Sequence, residues 1–211
     1  FLAWLDRQVE KHAEADEASL AEQLARFREE QDNYIEPSFS TISALGPNAA
    51  MCHYNHTQST PREFGLDGLY LVDSGGHYLE GTTDITRTVK VGEVSDEMKR
   101  QFTRVLQGHI ALDRVRFPKG TAGIQLDVLA RLPLWQAGCN YDHGTGHGVG
   151  HFLSVHEGPQ RISSKGSLIP LEPGMVVSNE PGYYKEGEFG IRCENLVMVV
   201  PSEEPSEMPM Y

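Results

Sequence analysis

The stretch Leu69–Val91, LYLVDSGGHYLEGTTDITRTVKV, decides the architecture. Leu69–Asp73 is a strongly apolar strand candidate, and Ser74-Gly75-Gly76 breaks it. Asp84–Val91 (DITRTVKV) resumes with period-two alternation and β-branched residues, which suit a pleated surface. Together the two segments read as antiparallel strands joined by a loop with glycine at each end.

Working outward, Phe1, Leu5 and Val9, with Leu2 and Trp4 beside them, predict an amphipathic helix over Phe1–His12. Asp16 is positioned to cap a second helix with a Leu20, Leu24, Phe27 stripe. Ala49–Tyr54 reads as a short strand. Ser95 caps a long helix on which Met98, Phe102, Val105, His109 and Leu112 recur in steps of three and four, and Phe117-Pro118-Lys119-Gly120 closes it. Thr121–Leu132 predicts another helix, stopped by Pro133. Met175–Ser178 and Ile191–Val200 are further strand candidates, separated by the turn-rich PGYYKEGEFG. Strands and helices interleave without a βαβ alternation, so the expected class is α+β with a mainly antiparallel sheet.

The 211 residues, 39% of them hydrophobic, suffice for one domain with its own core. A formal net charge of −12 argues against a nucleic-acid or anionic-membrane partner. No apolar run approaches the roughly 20 residues of a membrane span. Cys52, Cys139 and Cys193 are odd in number and form no C-x-x-C pair, which favours free thiols in a reducing compartment and a cytoplasmic protein. The chain does not start with methionine and reads as an excised piece.

Chemistry concentrates in Tyr141–Glu157, YDHGTGHGVGHFLSVHE, which carries His143, His147, His151 and His156 among five glycines. Histidine is the commonest metal ligand, and glycine lets backbone approach a ligand closely. His147 and His151 do not form a zinc-protease helix. No glutamate lies between them, and Gly148 and Gly150 disfavour a helix. Carboxylates stand where apolar strands should not have them: Asp73 after its run, Asp84 opening the next strand, Glu180 closing MVVSN, and Glu194 inside Ile191–Val200. Each alone fits a cap, a strand-end charge or a partner for Arg87 or Arg192. Together, beside a histidine cluster, they point to a shared site, because a buried carboxylate needs a partner or a metal. An oxygen-rich set without thiolate suits manganese, cobalt or iron and accommodates zinc. Four carboxylates exceed the need of one ion, whereas two ions about 3.5–4 Å apart can share bridging acids, which predicts hydrolysis by a metal-activated water.

Four motifs in this order, DSGGHYLEGTTDITRT, HGTGHGVGHFLSVHEGP, SNEPGYY and GIRCENL, resemble the catalytic domain of the Xaa-Pro aminopeptidases (aminopeptidase P), which are pita-bread-fold metallopeptidases. The resemblance implies a curved antiparallel sheet covered by helices and release of the N-terminal residue from peptides with proline second. It implies two divalent ions, manganese foremost, with a bridging hydroxide, held by Asp73, Asp84, His147, Glu180 and Glu194; Asp84 and Glu194 would bridge. Glu180 would also be the general base and His156 the catalytic histidine. His53 would reach substrate from across the cleft, His143 would line the proline side, and Arg192 would stand beside the last ligand. No role is implied for His151.

The resemblance also implies N-terminal domains and a C-terminal segment absent from these residues, a homodimer for the full-length protein, and weak or no activity for this domain alone. A prolidase-type dipeptidase is the nearest alternative, although HGTGHGVG, VHEGP and EPGYY favour the aminopeptidase. A non-catalytic peptide-binding module of the same fold would have lost the ligands that this chain keeps.

Overall fold

A computed structural model describes residues 1–10, 14–64, 67–166 and 168–211. The helices are α1 (Leu2–Glu10), α2 (Glu17–Glu29), α3 (Asp96–Asp113) and α4 (Gly123–Trp135). The strands are β1 (Tyr34–Pro37), β2 (Ile42–Leu45), β3 (Gly68–Ser74), β4 (Gly76–Tyr78), β5 (Gly81–Thr82), β6 (Ile85–Val91), β7 (Gly146–His147), β8 (Arg161–Ile162), β9 (Val176–Asn179), β10 (Gly182–Lys185), β11 (Phe189–Arg192) and β12 (Asn195–Met198). Every strand pairing among the described residues is antiparallel, so the α+β expectation holds.

The stretch that decides the architecture folds as read. β3 pairs with β6 from Gly68↔Val91 to Ser74↔Ile85, and β2 flanks β3 on its other edge. All seven residues of β3 are buried, because the strand has neighbours on both edges and apolar side chains packed on both faces. The glycine-bounded loop holds more than a turn: β4 and β5 form a small hairpin inside it, and β1 pairs with β4. The capping predictions hold too. Asp16 accepts a hydrogen bond from Ser19 N at 2.8 Å, and Ser95 accepts one from Met98 N at 3.2 Å. The helix read over Phe1–His12 is present as α1; its last two residues lie outside the described residues.

Three local readings need correction. Ala49–Tyr54 is not a strand: Gly46–Ala50 is a 3-10 helix begun by Pro47, and the chain then turns through Met51–His53. Pro133 does not stop α4, which runs to Trp135. Proline forfeits one backbone bond there, but Leu134 is fully buried, and Gln136 N still donates to Leu132 O at 3.0 Å. Ile191–Val200 is two strands. The chain leaves β10 as partner at Arg192 and joins β9 at Asn195, so Glu194 stands in the gap rather than within a strand.

Glu17, in the first turn of α2, is completely buried. Its carboxylate accepts from Leu45 N at 2.6 Å, Tyr54 Oη at 2.7 Å, Arg62 N at 3.0 Å and Asn48 Nδ2 at 3.0 Å. These bonds tie the start of α2 to the turn that carries His53. Glu17→Ala leaves several buried donors without an acceptor, at about 1–3 kcal/mol each before rehydration. A loss of roughly 3 kcal/mol or more is expected in denaturant unfolding. A loss below about 1 kcal/mol would show that water replaces the carboxylate freely.

Candidate metal centre

Glycine brings the histidine segment onto the sheet. A Cβ at Gly146 would lie 1.9 Å from Ser178 O, and one at Gly148 would lie 1.9 Å from Glu157 O. Only a bare backbone approaches this closely. The contact sets His147 N on Ser178 Oγ at 2.9 Å, while Ser178 Oγ donates to Glu180 Oε1 at 3.0 Å. From behind, α4 clamps the same segment. The buried Arg131 bonds Asp127 at 2.7 Å, Tyr141 O at 2.6 Å and His143 O at 2.8 Å, and Asp127 accepts from Thr145 Oγ1.

All the acids singled out in the sequence converge at His147, Asp73 through its neighbours Asp84 and Glu194. Asp73, Asp84 and Glu194 each offer an oxygen within 4.8 Å of the others, and His147, Glu180 and Glu194 do the same. Glu194 belongs to both groups. His147 Nε2 lies 3.2 Å from Asp84 Oδ2 and 3.4 Å from Glu180 Oε1. His156 adjoins this set, its ring 4.2 Å from that of His147, and it forms a third converging group with Asp84 and His147.

Two observations test whether these groups suit a cation. His147 Nδ1 is 2.9 Å from Gly148 O, a carbonyl that only accepts, so Nδ1 carries the proton. A neutral His147 therefore aims a lone pair at two carboxylates, and only a proton or a metal ion can sit between them. Asp73 Oδ1 is likewise buried without a hydrogen-bond partner, although Asp73 Oδ2 accepts from Arg192 Nη2 at 2.6 Å. Charge crowding points the same way. Burial raises Asp73 above the usual carboxylate range against the opposing pull of Arg192, and it pushes Glu180 up to about 7. Burial, with the charges of Glu180, Asp73 and Asp84, raises Glu194 further. Burial opposes a charged His147, but its bond to Asp84 and the charge of Glu180 outweigh it and raise its pKa. Divalent cations relieve all of these strains at once, and the residues fit them.

The remaining predicted residues line the same cleft, of about 770 Å³. His143 Nδ1 donates to Gly144 O at 2.8 Å, so its Nε2 accepts from Tyr184 Oη at 2.7 Å. Burial pushes His143 down to about 4, which makes it a neutral wall. Tyr184 Oη accepts in turn from Arg192 Nη1 at 2.9 Å. His53 is exposed on its turn across the cleft. His151 is exposed and does not line the cleft. Thr86 was missed as a site residue: its hydroxyl donates to Glu194 Oε2 at 2.6 Å and receives Arg192 Nε at 3.1 Å. Only its place in DITRT, two residues after Asp84, hinted at this.

The model of metallopeptidase family M24 matches residues 2–201. The chain belongs to metallopeptidase family M24. Aminopeptidase P2 of Arabidopsis thaliana is 52% identical to this M24 chain over 98% of its length, which is 29% of the plant protein. An X-prolyl aminopeptidase from Caenorhabditis elegans, described as a cytosolic enzyme with a di-nuclear active site, superposes with a TM-score of 0.95 at 41% identity. That match covers 99% of the M24 chain and 34% of the nematode protein. A prolidase from Thermococcus sibiricus follows at 33% identity and a TM-score of 0.78, over 88% and 49% of the two chains. The fold is thus the pita-bread arrangement of this family, and the M24 chain spans about a third of the length of its aminopeptidase relatives.

Proposed function

We propose that this chain forms the catalytic domain of a cytoplasmic, metal-dependent aminopeptidase that releases the N-terminal residue from peptides with proline second. The observation that carries the reading is the convergence of Asp73, Asp84, His147, Glu180 and Glu194 in one cleft with His156 and His143. Relatives about half identical in sequence are named aminopeptidase P, which supports the choice of substrate.

Those five side chains would hold two divalent ions, manganese foremost. When bound, the ions supply a nucleophilic water at neutral pH and polarise the scissile carbonyl. Glu180 would take the proton of the attacking water, its carboxylate oriented by the bond from Ser178 Oγ to Oε1. Partial desolvation at the cleft lowers the pKa of His156, so at neutral pH its neutral imidazole would donate an N–H to the developing oxyanion. His143, locked between Gly144 O and Tyr184, offers a flat wall. Such a wall suits a proline ring, whose imide nitrogen has no N–H to satisfy.

The test is hydrolysis of Arg-Pro-Pro beside Ala-Pro and Arg-Ala-Pro by the full-length protein with manganese. Release of arginine from Arg-Pro-Pro, with Arg-Ala-Pro untouched, is expected. Cleavage confined to Ala-Pro would make the protein a dipeptidase, in line with its likeness to the prolidase. Cleavage of none of them by manganese-loaded protein would refute the assignment.

A further inference from the structure

Behind the two glutamates stands a buried histidine that the chemistry above does not use. His109, on α3, places Nδ1 3.0 Å from Asn179 O and Nε2 3.2 Å from Asn195 Nδ2. Asn179 immediately precedes Glu180, and Asn195 immediately follows Glu194. The two asparagines are partners at the end of the β9–β12 ladder, so both glutamates lie just past its last rung. Beyond that rung the strands part. Glu180 N turns to Thr145 O, and Cys193 N turns to Pro181 O.

The proton pattern of this bracket is determined from both ends. Arg87 is a donor only, and its Nη2 bonds Asn195 Oδ1 at 2.9 Å, which leaves Asn195 Nδ2 facing the imidazole. His109 Nε2 must therefore accept. Asn179 O can only accept, so His109 Nδ1 must carry the proton. A neutral imidazole with hydrogen on Nδ1 is the one form that satisfies both neighbours, and burial pushes its pKa down in the same sense. The bracket closes on itself, because Asn179 Nδ2 donates to His109 O at 2.9 Å and Arg87 Nη1 donates to Glu194 O at 2.6 Å.

We infer that His109 is a positioning residue for the metal centre: one imidazole from α3 fixes the separation of the two strand ends that carry Glu180 and Glu194. The inference rests on the reading that both glutamates hold metal. An outer partner that orients ligands typically contributes 10–100-fold to metal affinity.

The experiment is calorimetric titration of the chelator-stripped chain with manganese, paired with unfolding in chelator. His109→Leu is expected to weaken binding of at least one ion by about tenfold, and to lower kcat with KM nearly unchanged. Glutamine carries one donor group and one acceptor, as the neutral imidazole does, so His109→Gln should recover most of the affinity. Asn195→Ser opens the bracket from its other end without touching the helix core, and should weaken binding to a similar degree. Native affinity in His109→Leu and Asn195→Ser, with only unfolding stability reduced, would overturn the inference. Glu194→Gln serves as the control. If it still binds two ions as tightly as the native chain, the ligand assignment falls and the inference falls with it.

Discussion

His156→Ala is expected to lower kcat on Arg-Pro-Pro by roughly 10²–10³-fold or more, while His151→Ala stays within about twofold of the native rate. The two histidines are five residues apart in one glycine-rich segment, and in the sequence only the motif resemblance ranks them. Their surroundings rank them in the same way. His156 lines the cleft, with its ring 4.2 Å from that of His147 in an edge-to-face arrangement. Although exposed to the cleft, it is partly desolvated there, which lowers its pKa and favours the neutral imidazole near pH 7, with a proton to donate. Losing a donor aimed at developing negative charge costs the transition state more than the ground state, so the loss should appear in kcat rather than KM. His151 is exposed and is not among the residues that line the cleft. Steady-state kinetics on the manganese-loaded variants decides the matter. Equal losses in both would mean that His156 has no special place in the reaction.

Metal loading should be the largest stabilising event available to the chain. Each ion at a concentration of about 100 Kd adds roughly 2.7 kcal/mol, so two sites add about 5 kcal/mol. At about 2–4 °C per kcal/mol for a domain of this size, manganese should raise Tm by roughly 10–20 °C over the chelated chain. Glu194→Gln separates the causes. It removes the carboxylate shared by both groups of donors, so most of the metal-induced rise should vanish. In chelator, however, the variant should be at least as stable as the native chain, because an amide stays neutral in the buried cluster without having to bind a proton or a cation. Thr86 Oγ1 can still donate to the amide oxygen of glutamine. A variant that loses stability in chelator and keeps the full rise with manganese would show that Glu194 supports the fold rather than the ion. The pH dependence has a definite sign. Glu180 titrates at about 7 without metal, and Asp73 and Glu194 are also raised, so protons compete with the ion and manganese affinity should fall as pH drops from 7.5 to 6.

Much of this protein was legible in the chain itself. Period-two alternation in DITRTVKV and the apolar run before Asp73 require two buried strands, and a strand that buries both faces cannot end on a carboxylate without a partner for it. The position of an acid next to such a run is therefore visible without coordinates, and Asp73, Asp84, Glu180 and Glu194 stand out for that reason. Glycines at alternate positions through His143–Gly150 announce close backbone approach in the same way. Tertiary structure alone decided which side chains share a space. Glu17 and His109 look in sequence like a first-turn acid and a stripe residue, and both become buried hubs because partners distant in the chain converge on them. Pro133 looks like a stop, yet packing around Leu134 carries α4 past it. The division between His147 at the carboxylates, His143 in the wall and His151 in solvent was implied by the motif resemblance, but its physical basis arises the same way. Local sequence determines pattern and propensity, whereas hydrogen-bond partners and charge neighbours depend on contacts that only the folded chain makes.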